Sequence, residues 1–206
     1  MMESFFDIFQ IIGIVLFMAV LIGRTIYLKT KKNINPISLG IGKKGFKQVL
    51  EVTFIVGLVI WIAEVLFAAL HTTFRLFPNF LYSELIDEPL LRILGVLLIL
   101  VSLYLFVWAL VSFQDSWRIG IDTKTNGELI TSGVFSFSRN PIFLFIDLYF
   151  FGTFLINGTP IFLIITIIVV VGLHYQILQE EAFLSSAYGK NYQDYVQKIG
   201  RYWGRN

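Results

Sequence analysis

The chain has 206 residues, of which 56% are hydrophobic and only 15% charged, whereas a soluble domain carries roughly 25% charged residues. That balance excludes an ordinary soluble globule, and 16 basic against 14 acidic residues is too even a balance to point to nucleic acid. With no cysteine, disulfides, thiolate metal sites and a cysteine nucleophile are excluded together.

Hydrocarbon about 30 Å thick takes about 20 apolar helical residues, because lipid leaves backbone amides to bond among themselves. Five segments meet or approach that length: 8–28, 49–70, 93–113, 141–156 and 161–178. No basic leader or small-residue cleavage site precedes the first, so it reads as a retained span. At about 1.5 Å per residue the fourth reaches only about 24 Å, which places it against protein or thinned bilayer. Asn157-Gly158-Thr159-Pro160 alone separates it from the fifth. All four residues favour turns, so the two segments form a short helical hairpin. Asn157-Gly158-Thr159 has the pattern of a glycosylation sequon but reads as a plain turn. The predicted fold class is therefore an all-α integral membrane protein of five transmembrane helices, with the hairpin as spans 4 and 5 and a C-terminal cytoplasmic helix. It reads as a single membrane domain over 1–206, with three N-terminal spans in 1–113 and the chemistry in 114–206.

Lysine and arginine fix the orientation, since cytoplasmic loops retain them. Thirteen lie in the first connection, the third connection and the tail, against two, Arg75 and Arg92, around the second connection. The alternation is self-consistent for a multi-pass protein with its N-terminus outside and its C-terminus and active site cytoplasmic.

Polar sequence gathers in 114–140 and 179–206, on either side of the hairpin. Tyr188, Tyr192, Tyr195, Ile199 and Tyr202 recur at helical spacing, one face of the C-terminal helix. That helix reads as interfacial, with tyrosines at the headgroup level, and as a lid over a pocket formed with 114–140, two readings that are compatible. Asp147 and His174 are ionisable groups inside spans and therefore expected to face a cavity or each other. They are read equally as a structural pair and as part of the chemistry. Glu64 and His71, nearer the outer side, belong to no motif.

The stretch from Gly127-Glu128-Leu129-Ile130 through Gly133-Val134-Phe135 to Arg139-Asn140-Pro141-Ile142-Phe143, then Glu180-Glu181 and Tyr188-Gly189-Lys190-Asn191-Tyr192, has a recognisable order and spacing. It resembles the isoprenylcysteine carboxyl methyltransferase and phospholipid methyltransferase superfamily over roughly residues 117–195. The resemblance implies S-adenosylmethionine at the cytoplasmic face and a lipophilic or small hydrophobic acceptor entering from the bilayer, with no metal. By the same resemblance, Glu128, Leu129, Ile130, Phe135, Asn140, Pro141, Ile142, Phe143 and Glu180 border the cofactor, Glu180 as the binding carboxylate. Arg139, His174 and Glu181 are the candidates for assisting transfer, with Glu181 or His174 as proton acceptor. Asn140 and Phe143 stand where the family has histidine and tyrosine. Gln176 stands where its prenylcysteine enzymes place an arginine for the substrate carboxylate, so the expected acceptor is neutral, its apolar part lying between hairpin and third span. Two other readings fit the architecture. One is an NADPH-dependent membrane reductase of the sterol reductase type, which needs a basic cluster such as Arg118, Lys124 and Arg139; the other is a non-catalytic membrane scaffold.

Overall fold

In the computed structural model the described residues are 2–33, 46–113 and 129–205. Six α-helices follow in order: α1 Met2–Lys31, α2 Phe46–Ala69, α3 Pro89–Phe113, α4 Pro141–Asn157, α5 Pro160–Tyr188 and α6 Lys190–Lys198. Helices α1, α2, α3 and α5 are long and apolar enough to cross a membrane, and α4, with 17 residues, is apolar but shorter. The protein is thus an all-α integral membrane protein, and its short fourth helix is where the apolar runs place it.

The hairpin is built by its ends. Pro141 and Pro160 open α4 and α5, positions where the missing amide hydrogen costs nothing. Gly158 closes α4 in the left-handed region at φ 62°, and a Cβ there would run into the Ile86 carbonyl. Its own carbonyl accepts the Leu85 and Ile86 amides at 2.8 and 3.0 Å, so the tip is tied to the segment before α3. Asn157 Nδ2 donates to Gln10 Oε1 at 2.6 Å and to the Thr153 carbonyl at 2.9 Å, so the sequon pattern is indeed a structural turn. The start of α1 and the end of α2 meet at this same end, where His71 Nε2 lies 3.0 Å from Asp7 Oδ2. At the opposite end, Ser112 Oγ near the close of α3 accepts the Val134 amide at 3.2 Å, just before α4 begins. The helices therefore alternate in direction.

The closest seam joins α3 to α4. A Cβ on Gly95 would lie 2.6 Å from the Gly152 carbonyl oxygen, and one on Gly152 would lie 2.7 Å from that of Gly95. Small residues of this kind let helix backbones touch where lipid gives no hydrophobic drive for association. Near the hairpin tip, backbone therefore leaves no room for an acceptor's apolar part between α3 and α4. Gly152→Val should lower the detergent melting midpoint and cost at least the 1–3 kcal/mol typical of overpacking, since a carbonyl cannot swing away as a side chain can. A midpoint equal to that of the wild type would show that the seam opens. Aromatic rings fill the remaining interior, with Phe106 stacked on Phe145 at 4.5 Å and Trp61 of α2 stacked on Phe150 at 4.5 Å.

The tyrosine stripe needs a correction. Helix α5 runs unbroken to Tyr188, Gly189 turns the chain at φ 51°, and α6 ends at Lys198. Residues 199–205 form a small loop, closed by the Ile199–Arg205 bridge and by the Gly200 amide on the Gly204 carbonyl at 2.7 Å. Tyr202 is therefore off the helix. Glycines at 189, 200 and 204 interrupt what the apolar spacing alone reads as one continuous face. Tyr192, Tyr195 and Ile199 are buried, which fits the packed lid.

A candidate ligand site around Glu180 and Glu181

The site is assembled at the end of the bundle away from the hairpin tip. A short 3-10 turn, Gly133–Ser136, leads into α4. Phe135 in that turn is buried, sets its ring edge-on to Phe113 at 4.7 Å and gives its carbonyl to the Tyr195 hydroxyl at 2.6 Å. That bond fastens α6 over the turn. The tail loop then docks beside it: the Arg139 amide donates to the Gly200 carbonyl at 3.1 Å, and Trp203 meets Phe137 edge-on at 5.5 Å.

These contacts bring Arg139, Asn140 and Glu181 together. Glu181 Oε2 accepts Arg201 Nε and Nη2 at 3.1 and 2.9 Å, and its Oε1 accepts Asn140 Nδ2 at 3.0 Å. Arg139 Nη2 lies 3.4 Å from the same Oε1, with the Arg139 and Glu181 side chains only 8% and 11% exposed. Asn140 Nδ2 also reaches the Arg201 carbonyl at 3.2 Å. An asparagine with two donor hydrogens thus bridges helix α5 and tail. One carboxylate facing two guanidiniums and the Asn140 amide has both oxygens engaged, which makes Glu181 an anchor for Arg139 and the tail. Its hydrogen bond is also the main reason that the Arg201 guanidinium is held above its ordinary pKa.

Around this cluster three polar groups stand ready. Arg139 Nε and the Tyr192 hydroxyl are buried without a hydrogen-bond partner among the described residues. Burial first, and then the Glu181 carboxylate, push the Tyr192 phenol up to about 12, so it remains a proton donor near neutral pH. Glu180, next in the chain to Glu181 and partly buried, receives no hydrogen bond among the described residues. Arg139 and the Tyr192 hydroxyl lie close enough to interact, and with the Glu180 carboxylate nearby they suit a ligand that carries both an acceptor and a cationic or hydroxyl donor.

The other expected residues take different places. Pro141 is fully buried at the start of α4, and Leu129, Ile130 and Ile142 pack partly buried against the core. Phe143 is partly buried one turn into α4. Glu128, Arg118 and Lys124 lie outside the described residues. His174 does not hydrogen-bond to Asp147. Its Nδ1 meets the Tyr202 hydroxyl at 2.6 Å, while Asp147 Oδ1 is buried without a hydrogen bond. Burial, followed by the nearby Asp147 charge, raises the Tyr202 pKa, so the tail tyrosine bonds to His174 and lies within electrostatic reach of Asp147. Arg201 and Tyr202 carry no motif. In the sequence they are a tail charge and the last member of a stripe.

The helical membrane bundle thus gathers a paired carboxylate, buried donors and a proline-led helix start at one end. Residues 90–191 match the family model described as phospholipid methyltransferase. The chain is also 30% identical over 129 residues, 61% of its length, to a Saccharomyces cerevisiae protein named protein-S-isoprenylcysteine O-methyltransferase. The match covers 54% of that yeast protein, so the chain spans about half the length of the curated relative. The chain belongs to the isoprenylcysteine and phospholipid methyltransferase superfamily.

Proposed function

We propose that the chain is a membrane methyltransferase that uses S-adenosylmethionine and acts on a lipophilic or small hydrophobic nucleophile. The observation that supports this most is the grouping of Arg139, the Tyr192 hydroxyl and the Glu180 carboxylate at a site that the family match largely covers. They fit the donor molecule, whose amino-acid end carries a carboxylate and an ammonium and whose ribose carries hydroxyls. When bound, it supplies a methyl group already activated on a sulfonium. Arg139 and Tyr192 would hold the carboxylate, and Glu180 the ammonium or ribose. Phe135, Ile142 and Phe143 would give an apolar wall for the adenine, with Asn140 and Pro141 fixing the start of α4. The backbone of 128–130, at Glu128, Leu129 and Ile130, would border the same site. In this reading residues 114–206 form the cofactor-binding catalytic region of one membrane domain.

Transfer demands alignment, exclusion of water and removal of a proton from the acceptor. Glu181 positions Arg139 and the tail, whereas His174, bonded to the Tyr202 hydroxyl, takes the proton. The acceptor would approach along the lipid-exposed stripe Val171, Tyr175 and Leu178 of α5, since the seam between α3 and α4 is closed near the hairpin tip. Gln176 offers it no cation, so the reacting centre is a neutral thiol, amine or hydroxyl.

Direct titration of the detergent-purified protein with S-adenosylhomocysteine and, separately, with NADP tests the reading. Saturable binding of the first alone is expected; NADP alone would make the protein a reductase, and neither ligand would leave a scaffold. We further propose that the site faces the cytoplasm, from the thirteen-to-two distribution of basic residues. Protease protection of chains tagged at both ends should find the N-terminal tag outside and the C-terminal tag inside. Both tags on one side would rule out an odd number of spans.

A further inference from the structure

At the hairpin-tip end, α1, α3, α4 and the end of α2 line an open groove of about 250 Å³ that takes no part in the site above. Its wall carries both signs of charge, Glu3 from α1, Asp7 with one oxygen held by His71 and the other open, and Arg92 from α3, with the bonded pair Gln10 and Asn157 beside them. Arg92 is half engaged. Its Nη2 pairs with Asp87 at 2.6 Å, whereas its Nε is buried with no hydrogen bond among the described residues.

The charge pattern decides what fits. A lone cation would meet Arg92, and a lone anion would meet Glu3 and Asp7, each at a cost that grows as water is excluded. A molecule bearing both charges satisfies both walls and gives the buried Arg92 donor the partner it lacks. Arg92 stands in the first turn of the span Pro89–Phe113, the depth at which a membrane-spanning helix passes the lipid headgroups. Carboxylates accept hydrogen bonds from a primary ammonium, whereas a quaternary one calls for an aromatic cage, and Phe6 is the single aromatic residue on this wall.

We propose that this groove binds the headgroup of a zwitterionic membrane lipid, with its phosphate against Arg92 and its primary ammonium against Glu3 and Asp7. The groove lies at the far end of the bundle from Glu180, so the lipid is held there and not methylated there. The inference is independent of the donor assigned to the other end.

The test is native mass spectrometry of the delipidated full chain, titrated with phosphatidylethanolamine, phosphatidylcholine and phosphatidylglycerol of matched acyl chains, and with free phosphoethanolamine as competitor. Phosphatidylethanolamine should be retained at least fivefold better than the other two, and Glu3→Gln and Arg92→Gln should each reduce its retention at least fivefold. Arg92→Gln also removes the Asp87 pair. Glu3→Gln therefore decides the matter, because Glu3 is exposed and its variant should melt as the wild type does without lipid. Equal retention of the three lipids, or of phosphatidylethanolamine by wild type and Glu3→Gln, would overturn the proposal. Competition by free phosphoethanolamine at comparable affinity would overturn the lipid as the source.

Discussion

Glu180→Ala is expected to weaken S-adenosylhomocysteine binding at least tenfold while leaving the melting midpoint of the ligand-free protein almost unchanged. The two halves of this expectation come from the same fact. Glu180 makes no hydrogen bond within the described residues, so its removal strips nothing from the fold. Yet it is the unpaired carboxylate beside the donors Arg139 Nε and Tyr192. A hydrogen bond to a charged group contributes about 1.5 to 3 kcal/mol, and each 1.4 kcal/mol is tenfold in affinity. Isothermal titration on the purified protein measures the first half and a thermal ramp the second. Equal affinities for wild type and variant would remove Glu180 from the ligand site, and a large loss of melting temperature would make it a structural residue.

Glu181→Ala should do the opposite and damage the fold first. It leaves Arg139, 8% exposed, and Arg201, 36% exposed, without the carboxylate that both face, and it takes the acceptor from Asn140. Removing one partner from a buried ion pair costs about 3 to 5 kcal/mol, because the remaining charge stays buried and uncompensated. The more exposed Arg201 softens that figure, since water screens it. Glu181→Gln keeps an acceptor oxygen for Asn140 and should recover part of the loss. The expected order of melting midpoints is wild type, then Glu181→Gln, then Glu181→Ala, with hydrogen exchange of residues 199–205 accelerated in the last. If Glu181→Ala melted like the wild type, the cluster would not hold the tail, and the carboxylate would be free to serve as a base.

The membrane part of this architecture is legible in the sequence because lipid imposes it. A run such as 93–113 has no alternative to a helix, and Asn157-Gly158-Thr159-Pro160 leaves only a turn between two apolar segments. Arg139, Asn140 and Glu181 are legible for a different reason, since their spacing around the hairpin is shared by a family. Arg201 is not. Its partner lies 20 residues away, on the far side of α6, and nothing local to it marks more than a basic tail. The stripe from Tyr188 to Tyr202 misleads because periodicity registers the apolar positions and not the left-handed glycine between them. Similarly, the spacing of Asp147 and His174 in adjacent helices suggests that they meet, but it does not reveal that His174 bonds instead to Tyr202 of the tail.

The docking of residues 199–205 onto the start of α4 has a consequence for biogenesis. Asn140 and Arg201 are 61 positions apart, and every span is synthesised before the second of them. The bundle can therefore insert while the polar cluster is still open, with Glu181 awaiting its counter-charge. In the proposed reading, ligand competence then follows as a separate event, when residues 199–205 dock back onto the start of α4. Chains truncated before Gly200 and released from the ribosome should be found integrated yet unable to bind S-adenosylhomocysteine. Insertion and maturation are thus distinct checkpoints for a quality-control system to monitor.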